Sequence, residues 1–197
     1  MKRIPVLCLM AVFAISIFNI QSVKAQKIVS GDLSILKGQK SINVIFDYSG
    51  MKIEKETELQ FVAREAEERN KKEPGSGDKF KTDWESDKAD KFPGAFKKVL
   101  SEELGIPVDD ANAKYTLVVY NIDLTNKGWG NKFSGGNPAS MNVDYKFVET
   151  TYQESNYCQI HSENVKYMAT FGTISQKIQG CLEYAARQIV RPLKKSL

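Results

Sequence analysis

The hydrophobic pattern divides the chain into alternating and helical stretches. Ile42, Val44, Phe46 and Tyr48 alternate with Asn43, Ile45 and Asp47, the period of two that marks a half-buried strand, and Ser49-Gly50 ends it. Ahead of it, residues 26–40 carry Gly31, Gly38 and scattered polar groups, which reads as an entry arm or a short edge strand. Thr57-x-x-Gln60 has capping-box spacing, and Leu59, Val62, Ala63 and Ala66 follow at helical intervals. This helix should fade near Lys72, because Glu73-Pro74-Gly75-Ser76-Gly77 is a break. A second helical stretch begins near Asp78, with Phe80 and Trp84 one turn apart. Pro93-Gly94 interrupts or kinks it, since proline removes a backbone donor. Phe92, Phe96, Val99, Leu100 and Leu104 then continue on one face as far as Gly105.

The second half changes period. Tyr115 to Ile122 is apolar on both faces, as a central strand should be. Met141, Val143, Tyr145 and Phe147 line one face of the next strand, Gln153–Asn156 reads as a turn, and another strand runs from about Tyr157 to Thr170, with a break suggested at Ser162–Asn164. Thr173-x-x-Gln176 is a second capping box, opening a helix with Ile174, Ile178, Cys181, Leu182, Ala185 and Ile189 along one stripe. Pro192 should end or bend it. The order is therefore strand, helix–helix, three-strand meander and C-terminal helix. It predicts an α+β, two-layer domain with a mainly antiparallel sheet and helices on one face. No repeat or long linker divides residues 26–197, which read as one domain.

Charge and export change this picture at the N-terminus. Lys2 and Arg3 precede an apolar run over residues 4–20, and Val23-Lys24-Ala25 places small residues at −3 and −1. That is a secretory signal peptide over 1–25, with cleavage after Ala25. Cys8 lies too early, and Pro5-Val6-Leu7 is the wrong context, for a lipoprotein. The whole chain carries 28 basic and 24 acidic residues, a charge of +4. Losing Lys2, Arg3 and Lys24 leaves 25 basic against 24 acidic, or +1, on 197 minus 25, or 172, residues. Nucleic acids and anionic membranes select a much stronger basic excess. Residues 64–91 hold eight basic and nine acidic side chains with interleaved signs, which describes a solvated helical pair.

Candidate chemistry is sparse. The loop from Thr125 to Ala139 holds four glycines, Pro138, Trp129, Asn131 and Phe133. Aromatic faces among amides suit stacking on a sugar or holding a peptide, and the alternative is a long hairpin loop folding onto the sheet edge. His161 is the single histidine. No nucleophile motif accompanies it, so it reads as a surface residue of a strand. Asp109-Asp110 lacks a calcium-loop pattern and reads as part of a loop. Cys158 and Cys181 would both survive cleavage, and an exported compartment permits a disulfide between them. A straight strand and an antiparallel helix would separate the sulfurs by about 20 Å, beyond bonding reach. A turn at 162–164 would bring them closer. No cofactor or metal site is called for.

The export signal, Ile-Asn-Val-Ile-Phe-Asp-Tyr-Ser at 42–49, Lys-Lys-Glu-Pro-Gly-Ser-Gly-Asp-Lys at 71–79, the charged helix around Trp84, and Ala-Lys-Tyr-Thr-Leu-Val-Val at 113–119 resemble a group of small exported α+β proteins of Gram-negative bacteria. The element order also resembles periplasmic accessory domains of the TolB N-terminal type, at the level of topology. These resemblances imply export and an α+β fold, and they bring no activity or catalytic residues. The expectation is a non-enzymatic periplasmic or secreted binding protein whose partner is another envelope or secreted protein. The alternative is a glycan-type ligand module using Trp129, Asn131 and Phe133, with an enzyme a more distant third.

Overall fold

The computed structural model describes residues 26–126, 138–167 and 172–197. The chain opens with β1 (Gln26–Gly31), a short 3-10 turn (Leu33–Leu36), β2 (Asn43–Phe46), β3 (Lys52–Ile53) and β4 (Glu56–Thr57). Then come α1 (Glu58–Lys72), α2 (Ser76–Ser86), a π-helical turn (Asp87–Lys91) and α3 (Phe92–Leu104). The remainder is β5 (Tyr115–Asn126), β6 (Ala139–Glu149), β7 (Cys158–Tyr167) and α4 (Ile174–Lys194).

The expected α+β architecture is observed, and the β5–β6–β7 meander is antiparallel. The sheet as a whole is mixed, because β2 and β3 lie end to end along β5 and run parallel to it. The α1–α3 crossover separates these strands from β5, which is the connection a parallel pair requires. β4 folds back antiparallel on β3 through a two-residue turn whose central residues, Glu54 and Lys55, both have positive φ. The entry arm is strand β1, which travels to the far edge and pairs antiparallel with β7.

Burial follows the alternation in β6. Met141, Val143, Tyr145 and Phe147 are fully buried, while the intervening Ser140, Asn142, Asp144 and Lys146 are only partly covered. β5 is buried on both faces from Tyr115 to Val119, the burial its apolar run predicts. α4 lies across the apolar face with Ile178, Cys181, Leu182, Ala185, Ala186, Ile189 and Leu193 completely buried. Gly180 lets α4 seat closely: a Cβ there would fall 2.3 Å from the Tyr167 ring.

Three details depart from the sequence pattern. Leu59 is 81% exposed, and α1 buries Phe61, which the spacing did not name, beside Ala66, which it did. Pro93 does not break the helical path. The five-residue π turn precedes it, and Pro93 sits in the first turn of α3. A π turn shifts the hydrogen-bond register where proline offers no N–H and would crowd an upstream carbonyl. Pro192 lies inside the last turn of α4, which continues to Lys194.

Candidate functional site

Two surfaces offer unspent chemistry: a bare sheet edge and an open polar sheet face. The edge is β1. It has six residues, and no strand pairs with its outer side among the described residues. Bare N–H and C=O groups on such an edge are a template for another strand. Its apolar side chains are unusually available, with Ile28 47% and Val29 56% exposed. Ile28 stands opposite the buried Ile160, and the register slips between Ile28 and Ser30, leaving Val29 in a bulge. Gly31, at φ +76°, allows β1 to end against the backbone of Tyr157, where a Cβ would lie 1.9 Å from the carbonyl oxygen. The other side of the sheet offers shorter runs: four residues of β2, and two of β4 that pass directly into α1.

The open face is polar because alternation turns every second residue of β6 and β7 away from the helices. Lys27, His161, Asp144 and Tyr120 are directly opposed on four adjacent strands. His161 Nδ1 lies 2.6 Å from Asp144 Oδ1, and Asn121 Nδ2 donates to Asp144 Oδ2 at 2.9 Å. Burial, and then the Asp144 charge, raise the Tyr120 phenol above its ordinary value. Two bulges shape this region, with Asn121 at φ +49° in β5 and Asn164 at φ +55° in β7. Asparagine tolerates that backbone region better than most side chains. His161 is thus a partly exposed strand residue held by a carboxylate, as the polar stretch suggested. The adjacent Ser162 faces the core and is fully buried, so it is turned away from the His161–Asp144 pair.

Asp109 and Asp110 do not act as a pair. Lys97 Nζ contacts Asp109 Oδ1 at 2.6 Å, while Ser41 Oγ donates to Asp110 Oδ2 at 2.6 Å. The Ser41 hydroxyl and the Asn112 amide hold the Asp110 carboxyl below its usual range. Cys158 and Cys181 are both free and buried, so the permitted disulfide is not formed. Burial, aided by the Asp32 charge, pushes the Cys158 thiol up to about 11, and burial pushes Cys181 up to about 12. Thiols so raised are poor nucleophiles. Trp129, Asn131 and Phe133 lie outside the described residues.

Sequence reasoning did not foresee two clefts, of about 620 and 630 Å³, between the α1–α2 hairpin and the start of α4. They share Arg69, Thr173, Ile174 and Gln176. Most of their charges are already engaged. Arg64 bonds Glu56 through two nitrogens, at 3.1 and 2.8 Å, and Arg69 lies 4.3 Å over the Phe80 ring. The buried Asp87 carboxylate takes the Ser175 hydroxyl and pairs with Lys91. The N-terminal end of α4, where a helix dipole favours an anion, therefore already faces a carboxylate of the chain itself. Among the described residues no helix is long and apolar enough to cross a membrane, and no cluster of three or more His, Cys, Asp or Glu could hold a metal ion.

No family model matches the chain, and no curated protein does. Solved structures give a distant likeness. A PelC dodecamer from Paraburkholderia phytofirmans is 12% identical with a TM-score of 0.39, over 86% of this chain and 96% of that one. A single-substitution variant of that dodecamer gives 12% and 0.39 over 86% and 95%. A likeness this low carries no argument about this chain.

Proposed function

We propose that this is an exported, non-enzymatic binding protein, periplasmic or secreted, that takes up an extended segment of another envelope or secreted protein along β1. The observation that supports it is the bare six-residue edge with Ile28 and Val29 exposed. Strand addition draws affinity from main-chain hydrogen bonds and specificity from alternate side chains, and β1 supplies both. Its one charged residue is Lys27, so the edge has little of the charge with which proteins usually blunt such strands. The signal pattern over 1–25 and the near-neutral charge of 26–197 support export and a protein partner over a nucleic acid.

The test is a photo-crosslinking side chain at position 29, with position 59 on the exposed face of α1 as control, in protein expressed in its native envelope. The expected result is a discrete protein adduct from position 29 that is absent from position 59 and is sharply reduced by Ile28→Lys. The same adducts from both positions, or capture indifferent to Ile28→Lys, would remove β1 as the binding edge.

A further inference from the structure

We propose that the first residue of the exported chain, Gln26, is converted to pyroglutamate. The inference rests on the export reading, specifically on cleavage between Ala25 and Gln26, and adds to it a covalent modification of the strand that carries the binding edge. An N-terminal glutamine can cyclise because its free α-amine reaches its own side-chain amide in a five-membered ring. The α-nitrogen attacks Cδ, the N–Cδ bond forms and the Cδ–Nε2 bond breaks. Nε2 leaves as ammonia, carrying the proton given up by the attacking amine. No oxidant, reductant or second substrate is consumed.

The structure supplies the reason that the cyclised form suits this fold. Gln26 begins β1 directly opposite Ser162 of β7, a residue that is fully buried. Its Nε2 atom is buried there without a hydrogen-bond partner among the described residues. An unpaired buried donor is costly, and this nitrogen is the atom that cyclisation expels. A cleaved but uncyclised chain would also place an α-ammonium one residue from the Lys27 ammonium, at the start of an edge meant to accept a strand. The lactam removes that charge and keeps a neutral amide. Because Nε2 is enclosed once β1 is seated, ring closure belongs to the newly released N-terminus, before the strand docks.

The test is mass spectrometry of the N-terminal peptide and of the intact protein from the native envelope, quenched in acid on isolation. The expected N-terminal peptide begins at residue 26 and is about 17 Da lighter than the encoded sequence, the mass of ammonia. It should resist stepwise N-terminal sequencing until treated with a pyroglutamate aminopeptidase. A Gln26→Ala protein, processed at the same bond, should be sequenced freely and show no mass loss. A peptide starting at Gln26 at full mass with a free amine would overturn the modification while leaving the cleavage intact. An N-terminus at any other residue would overturn the cleavage and the modification together.

Discussion

α1 and α4 open on the same device and then diverge. In each, a threonine hydroxyl caps the N3 amide and a glutamine side chain reaches back to the cap, Thr57 with Gln60 and Thr173 with Gln176. Yet α4 buries ten of its 21 residues and α1 two of its 15. The difference teaches that a cap fixes where a helix starts, whereas the apolar stripe fixes what it does for stability. α4 closes the core over β6 and β7. The α1–α2 hairpin is attached through one aromatic knot, with Trp84 5.7 Å from both Phe61 and Phe92 and 5.9 Å from Phe80. The Trp84 indole donates to Glu58 at 2.8 Å, and Lys88 pairs with the same carboxylate at 2.6 Å. Exposed pairs along the hairpin, such as Lys71–Glu67 and Lys79–Asp83, add little, because such pairs are typically worth less than about 1 kcal/mol.

The comparison can be broken from the α4 side at the centre of that helix. Leu182 is completely buried, and Leu182→Ala should cost about 2–5 kcal/mol. It should appear as a lower denaturant midpoint with an unchanged slope. A loss below about 1 kcal/mol would mean that α4 is not the packed layer described here. A smaller effect is expected from the thiol in the same helix. Burial raises Cys181 to about 12 from an ordinary 9.0. The unfolded chain therefore releases that proton first, and the folded state loses ground only above the unfolded value. Stability from this source is complete below about pH 9 and declines as pH rises toward 12. Wild type should lose more stability than Cys181→Ala between pH 8 and about pH 10.5 in denaturant titrations. Parallel declines would show that Cys181 is not shielded.

Much of the fold was legible because several segments carry one unambiguous period. The β6 face, the α4 stripe, both capping boxes and the Gly105 stop are local facts of residue spacing. The mixed sheet was less legible, because nothing local says that β1 crosses to β7 while β2 stays beside β5. The β3–β4 hairpin was missed because its turn is Glu54-Lys55, both at positive φ, where asparagine or glycine is the usual signal. Of the candidate site, the edge-strand reading of residues 26–40 anticipated β1. The Asp144–His161 contact was hidden, since cross-strand register alone makes those residues neighbours. The clefts beside α4 arise between elements over 100 residues apart in sequence, Arg69 and Thr173 among them, and no spacing rule reports them.

The smallest effect sharpens the comparison from the α1 side. Helical spacing nominates Leu59 for the inner face, yet it is 81% exposed while Phe61 is 3% exposed. The inner stripe of α1 begins with a charge: Glu58 points inward because its carboxylate is needed by Trp84 and Lys88. A reading that looks only for apolar residues rotates the helix past it. Leu59→Ser should therefore change stability by no more than about 0.5 kcal/mol, whereas Phe61→Ala should cost about 3–5 kcal/mol. Both are measured by denaturant unfolding of the same protein. A cost above about 2 kcal/mol at Leu59 would require a covering surface, since an exposed leucine has no buried area to lose. Near-equal costs at the two positions would turn α1 back to the face its apolar spacing suggests, and would take the Glu58–Trp84 contact with it.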